Sequence, residues 1–188
     1  MRIWIKFVFC LLTTLMACSF KILKQTKIVD YNTASERILG NAIKRVSKKY
    51  PLNAVGLGGG IDHKEKKNTI FDVMFVLEKK VTIDQARCII LDVLDTFLYY
   101  ANNDPEVAPF LKPFPYTQKG FHIALFVYNS KGEKILHPNI SVISLSLGKI
   151  SYTTEEYEGE FTKDVDEHIE TVEEAREILA KQLSQGSQ

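Results

Sequence analysis

The chain has 188 residues, 45% of them hydrophobic and 25% charged, and a formal net charge of +1. This composition is that of an ordinary globular protein and excludes the collagen-like, coiled-coil and intrinsically disordered classes. The charge is uneven, however: residues 19–80 carry 13 Lys or Arg against 6 acidic residues, whereas residues 81–188 carry 9 against 17. We interpret this asymmetry as attraction between two halves of one fold, with a basic face toward anionic lipid headgroups as the alternative. Nucleic-acid binding is not expected, because the chain is nearly neutral.

The first element is an N-terminal segment with the order of a secretory signal peptide. Arg2 and Lys6 precede an apolar stretch over residues 7–16. This stretch is about half of the ~20 residues that a membrane-spanning helix requires. It ends in Leu15-Met16-Ala17-Cys18. These four residues resemble the lipobox of bacterial lipoproteins, in which a peptidase cleaves before the cysteine and the cysteine thiol carries a diacylglycerol.

The resemblance implies a signal peptide at residues 1–17, lipid attachment at Cys18 and a tether over residues 18–32. Acyl chains such as palmitate would then anchor the protein to a lipid bilayer of the bacterial cell envelope, because each buried methylene contributes about 0.8 kcal/mol. Ser19 in place of Asp after the cysteine favours the outer membrane over the inner one. Two alternatives remain open: cleavage after Ser19 by ordinary signal peptidase would release a soluble product, and a signal-anchor helix would stay inserted.

The next segments predict a helix, two strands and a second helix. A helix capped by Thr33 or Ser35 runs to Tyr50 and is ended by Pro51. Strands over residues 52–57 and 69–77 are joined through a glycine-rich connection and a charged tip. The second helix begins at Thr82 or Asp84 and carries an apolar stripe to Ala101 at helical spacing.

Residues 102–119 hold four of the six prolines and predict an ordered, irregular loop. Phe110, Phe114 and Tyr116 in this loop are candidates for a partner surface, because a rigid backbone with exposed aromatics binds at low entropic cost. The alternative is that these three rings pack under the sheet as a small satellite core.

The rest of the chain predicts a meander and a last helix. Strands over residues 121–128, 139–147 and 149–154 are separated by short turns, and a helix spans residues 171–183. The predicted fold is therefore one α+β domain over residues 33–184, with about five mainly antiparallel strands and three helices mostly on one face. A polar tail follows at residues 185–188.

No motif predicts a catalytic, metal or cofactor site. The glycines of residues 56–60 lead into a charged turn and a strand, so they predict a bulged strand end rather than a nucleotide loop. The acidic residues 155–177 fail the EF-hand pattern, because Ile169 and Ala175 stand where Gly and Glu are needed. Cys88 is the lone thiol of the predicted mature domain and is expected to be a small, semi-buried side chain.

The sequence thus favours a non-enzymatic, lipid-anchored binding protein of the bacterial envelope, whose partner is an unknown envelope protein or ligand. The alternative is an envelope hydrolase whose site is assembled only in the fold. A cleft that combines Asp62 and His63 with acidic residues of the C-terminal half would favour the hydrolase. A flat apolar patch over residues 110–116 would favour the binding protein.

Overall fold

The computed structural model describes Ile28 and residues 30–185. The predicted signal peptide, Cys18 and residues 186–188 of the predicted tail lie outside the described residues. Within them, two short 3₁₀ helices precede the third strand, and the main elements are α1 (Tyr31–Lys49), β1 (Leu52–Asp62), β2 (Lys67–Leu77), α2 (Ile83–Asn102), β3 (Phe121–Val127), β4 (Val142–Ser146), β5 (Lys149–Glu158), β6 (Phe161–Thr171) and α3 (Val172–Gln185).

The strands form one sheet whose spatial order follows the chain, from β1 at one edge to β6 at the other. Neighbouring strands are antiparallel except β2 and β3. Those two run parallel because α2 returns the chain between them. The predicted α+β class with a mainly antiparallel sheet and three helices is confirmed, and the sheet has six strands rather than five.

The core lies between the helices and one face of this sheet. Side chains alternate along each strand, and on β2 and β3 every second residue is fully buried, namely Phe71, Val73, Phe75, Leu77, Phe121, Ile123, Leu125 and Val127. The residues between them are half-buried or exposed. We call the opposite side of the sheet the open face.

Helix positions follow from local capping and from ion pairs between helices. The Asp30 carboxylate accepts a 2.8 Å hydrogen bond from the backbone N–H of Thr33 and so begins α1. Thr82 begins α2 with a capping box, in which the side chains of Thr82 and Gln85 each accept from the other's backbone N–H. Lys49 of α1 lies 2.8 Å from Asp92 of α2, so a basic residue of the first half meets an acidic residue of the second.

Two segments differ from the predicted elements. Strand β1 continues past its predicted end at residue 57 to Asp62, and it has the bulging that the glycines predict, between Ala54 and Gly56 and again between Gly60 and Ile61. The acidic segment 161–171 forms the edge strand β6, although its charge and high exposure are typical of a solvated loop. Charged residues on an edge strand keep it from pairing with other chains, so the composition suits the position.

Candidate binding cleft

A cleft of about 550 Å³ lies between the start of α2, the segment before β4 and the outer strands β5 and β6. We call it the α2 cleft. Its apolar lining residues are Val81, Ile83, Pro138 and Ile140, and the same segments also contribute the polar Lys80, Thr82, Gln85 and Asn139. Strands β5 and β6 contribute Tyr152, Thr154, Asp166 and His168. Register explains this convergence, since Tyr152 pairs with His168 and Thr154 pairs with Asp166 across the β5–β6 ladder.

A buried ion pair lies beside Tyr152. Arg87 of α2 donates to both carboxylate oxygens of Glu170, with Nε–Oε1 at 2.8 Å and Nη2–Oε2 at 3.0 Å. The side chains of Arg87 and Glu170 are only 5% and 4% exposed. The Tyr152 hydroxyl also donates to Glu170 Oε1, at 2.6 Å. The carboxylate is therefore saturated with donors, and the pair fixes α2 to the edge of the sheet.

These contacts fix the charge states. The hydrogen bonds to Glu170 raise the pKa of the Arg87 guanidinium above its ordinary value. Burial alone would raise the pKa of the Glu170 carboxyl, but the hydrogen bonds from Arg87 and Tyr152 outweigh it and hold that pKa below its ordinary value. Burial, reinforced by the hydrogen bond to Glu170, raises the pKa of the Tyr152 phenol. The cluster thus keeps its charges at neutral pH and is structural rather than reactive.

The accessible polar groups of the cleft are on β6 and at its ends. The His168 ring stacks on Tyr152, with centroids 5.8 Å apart, and its side chain is 52% exposed. Its Nε2 is 3.8 Å from Glu170 Oε2, too far for a hydrogen bond. Lys80 and Asp166 add opposite charges, and both are exposed. A lining that combines apolar side chains with a few convergent polar groups is the usual character of a small-ligand site.

The aromatic residues predicted as a partner surface do not lie together in the open. Tyr116 is 2% exposed and packs against Phe71 and Phe121, with ring centroids 5.4 and 5.2 Å apart. Phe110 is half-buried against the core, whereas Phe114 is 49% exposed. The partner-surface prediction is therefore corrected for Tyr116, which belongs to the core because its ring fills the space beside Gly120. Phe114 alone of the three remains accessible.

The structure does not combine Asp62 and His63 with the acidic C-terminal half. Asp62 accepts from the backbone N–H groups of Lys64 and Glu65 and lies 2.9 Å from Lys112, so it stabilises the β1–β2 turn. His63 is exposed on this turn. No group of three or more His, Cys, Asp or Glu among the described residues could hold a metal ion. Cys88 is a free, half-buried thiol of α2.

One acid–imidazole pair does occur, on the open face. Asp72 of β2 and His122 of β3 are register partners, and Oδ1 lies 2.9 Å from Nδ1. Asp72 Oδ1 and His122 Nε2 are both buried and complete no hydrogen bond within the described residues. No hydroxyl or thiol of the described chain is hydrogen-bonded to this imidazole, so the pair lacks a positioned nucleophile.

The cleft residues Thr154, Asp166 and His168 were not predicted from the sequence. The many acidic residues around them are typical of a loop, so strand β6 was not predicted. Phe161, Val165 and Ile169 nevertheless recur at even spacing, which fits the two-residue period of a strand. Pairing with β5 then brings Asp166 and His168 beside Tyr152, and only the register of that pairing reveals the site.

No protein-family model, curated protein or solved structure matches the chain. Its function is therefore inferred from its own residues and geometry. Within the described residues, no helix is long and apolar enough to cross a membrane.

Proposed function

We propose that this protein is a non-enzymatic binding protein of the bacterial envelope, lipid-anchored at Cys18, which holds an envelope ligand or protein segment in the α2 cleft. The observation that carries the binding proposal is the cleft itself, of about 550 Å³, whose lining combines apolar residues of the segments before α2 and β4 with Tyr152, Thr154, Asp166 and His168. The lipobox-like residues 15–18 support the anchor.

The cleft suits ligand binding because the side chains behind it are held by hydrogen bonds, whereas those at its opening are exposed. Arg87, Glu170 and Tyr152 are locked by hydrogen bonds of 2.6–3.0 Å. His168 and Asp166 remain exposed, and although Asp166 Oδ1 accepts from the backbone N–H of Glu167 at 2.9 Å, both side chains are accessible to a ligand. A preorganised site loses little conformational entropy when it is filled. The occupant that fits has an apolar body and hydrogen-bonding groups along one side.

The anchor is tested by the intact mass of the mature protein extracted from membranes, beside Cys18→Ala. We expect a mass equal to residues 18–188 plus acyl groups, and its loss in the variant with accumulation of the precursor. An unmodified mass beginning at Phe20 would contradict the anchor and would indicate soluble secretion.

Occupancy of the cleft is tested by carbethoxylation of histidines with diethyl pyrocarbonate, read residue by residue by mass spectrometry. We expect His168 to react several-fold more slowly in native membranes than in the purified protein, because a bound partner covers the cleft. His63 is the internal control, since it is exposed on the distant β1–β2 turn and its rate should be the same in both samples. Equal protection ratios for His63 and His168 would contradict the binding proposal while leaving the anchor intact.

A further inference from the structure

The open face carries side chains in rows that cross the sheet. The register pairs place one row at the middle of the face, and its members from β1 to β6 are Gly56, Met74, Ala124, Ser144, Ser151 and Ile169. A second row contains Gly58, Asp72, His122, Lys149 and Thr171, with Ser146 paired to Lys149. A third contains Asn53, Val76, Phe126, Val142, Thr153 and Glu167. Apart from Thr153, every one of these side chains is half-buried or exposed.

We propose that the open face binds the open face of a second copy of this chain. The twofold axis runs parallel to the strands, between β3 and β4. This operation puts β1 over β6 of the second copy, β2 over its β5 and β3 over its β4. It also keeps each residue at its own height along the strands, so each row packs on itself in reverse order. The result is an isologous, closed dimer with the aligned packing of a β-sandwich.

The middle row is complementary to itself in size under this operation. Ile169, which is 54% exposed, falls over Gly56 of the second copy, where no side chain competes for space. Met74, which is 45% exposed, falls over Ser151. Ala124 falls over Ser144, so the two smallest pairs lie nearest the axis. Away from the axis a large residue meets a small one, and at the axis both residues are small, which lets the two sheets approach to about 10 Å.

The other rows are complementary in charge and polarity. Asp72 falls over Lys149 of the second copy, and by symmetry Lys149 falls over Asp72, giving two intermolecular ion pairs. Lys149 is exposed and forms no ion pair within the described chain. Phe126 falls over Val142, and Val76 over Thr153, so the third row is apolar near the axis. A sheet face whose third row is apolar near the axis and whose second row carries opposite charges at matched positions favours its own copy over an unrelated surface.

The area of the open face suits a weak association. Six strands at ~4.8 Å spacing and about seven residues at ~3.3 Å each define a face of roughly 29 by 23 Å. This is somewhat below the ~800 Å² per partner that a standard interface buries. We therefore expect a reversible dimer rather than a permanent one. This inference does not depend on the lipid anchor or on the α2 cleft.

The first test is a crosslink between copies by a bismaleimide whose spacer bridges roughly the 10 Å between two packed sheets, made in the full-length protein expressed and processed in cells, with Cys88→Ser as background. The variant Met74→Cys/Ser151→Cys places a thiol on β2 opposite a thiol on β5 of the second copy. A disulfide would be too short, because it tolerates only about 4.4–6.8 Å between Cα atoms. A bridge formed within one chain leaves the mass of a monomer, so only a bridge between copies doubles it. We expect a covalent species of twice the chain mass after reaction with the bismaleimide, absent from both single-cysteine controls.

The second test is a charge exchange read by sedimentation of the purified protein over a concentration series. Asp72→Lys or Lys149→Asp alone should weaken dimerisation about tenfold, because each creates two like-charge contacts. Combining Asp72→Lys with Lys149→Asp in the same chain should restore the dissociation constant to within about threefold, since opposite charges meet again across the axis. Circular dichroism of all three variants checks that the fold is kept.

Three outcomes would overturn the proposal. The first is a monomer at every concentration together with no crosslink. The second is a crosslinked species whose mass differs from twice that of the chain, which would identify another protein as the occupant. The third is a combined variant as weak as the two single variants, because Asp72 and Lys149 would then not face each other.

Discussion

Arg87 and Glu170, 83 positions apart, form a two-point ion pair that joins the second helix to the last strand. The strand that carries Glu170 is otherwise highly exposed. The pair is therefore a buried polar contact that holds the acidic edge strand against the core. It lies beside the proposed binding cleft.

Removing one member of this pair is expected to be costly. Glu170→Ala removes the buried partner of the Arg87 guanidinium and leaves it the largely exposed carboxylate of Asp84, 2.6 Å away, so the free energy of unfolding should fall by about 3 kcal/mol. Urea denaturation followed by circular dichroism measures it. Glu177→Ala on the exposed side of α3 is the control and should change stability by no more than about 0.5 kcal/mol. A loss in Glu170→Ala no larger than in this control would contradict the structural role of the pair.

The same pair predicts a pH dependence. Since the pKa of Glu170 is lower in the folded protein than its ordinary value of 4.5, its contribution is present above that value and is lost as the pH falls through the folded pKa. Other carboxylates with lowered pKa values add to the acid slope, so the informative quantity is the difference between wild type and Glu170→Gln. That difference should be constant from pH 7 to 5 and shrink below about pH 4.5. A stability difference between wild type and Glu170→Gln that grows as the pH falls would contradict this prediction.

The capping box of α2 should contribute to stability by an amount that a single substitution can measure. Thr82→Ala removes the side-chain acceptor for the Gln85 N–H and should lower the free energy of unfolding by about 1 kcal/mol. Ser184→Ala, near the end of α3, is a suitable comparison because its hydroxyl only donates to a carbonyl at an exposed helix end. We expect Ser184→Ala to leave the free energy of unfolding unchanged. Equal losses of stability in the two variants would contradict the role of the Thr82 cap.

Replacement of two glycines by alanine should change the free energy of unfolding in opposite directions. A Cβ at Gly59 would overlap the backbone carbonyl oxygen of Ile70 on the neighbouring strand, so Gly59→Ala should destabilise by more than about 1 kcal/mol. A Cβ at Gly40 of α1 meets nothing within 4 Å, and Gly40→Ala should stabilise by about 0.5–1 kcal/mol. Thermal unfolding of the two variants shows whether each substitution lowers or raises stability. A neutral Gly59→Ala would show that β1 and β2 do not approach as closely as described.

The proline-rich loop offers a pair of aromatic variants. Tyr116→Ala should cost about 3–5 kcal/mol, because the ring is buried against Phe71 and Phe121. Phe114→Ala should be nearly neutral for stability, since the ring is half exposed. If Phe114 contributes to a partner surface, its variant weakens binding without weakening the fold. A large loss of stability in Phe114→Ala would instead assign the ring to the core.

The predicted elements that proved correct are those with strong local signals. The apolar stripe of α2, the stop at Pro51 and the pattern of the strands around Phe75 and Leu125 need only neighbours a few residues away. The edge strand β6 was missed, because charge dominates its composition and its strand geometry depends on hydrogen bonds to β5. The burial of Tyr116 was likewise left open by the sequence, since it depends on space beside Gly120 and between two other rings.

The sequence by itself determined the fold class, the three helices and most of the strands, because these follow from side-chain periodicity, caps and turn residues. Tertiary structure alone decided the Arg87–Glu170 pair, the α2 cleft and the rows of side chains on the open face. Each of these brings together residues that are distant in the chain, and which residues meet is decided by strand order and register. A shift of one residue in register would move every side chain of a strand to the other face, so no local pattern specifies such a site.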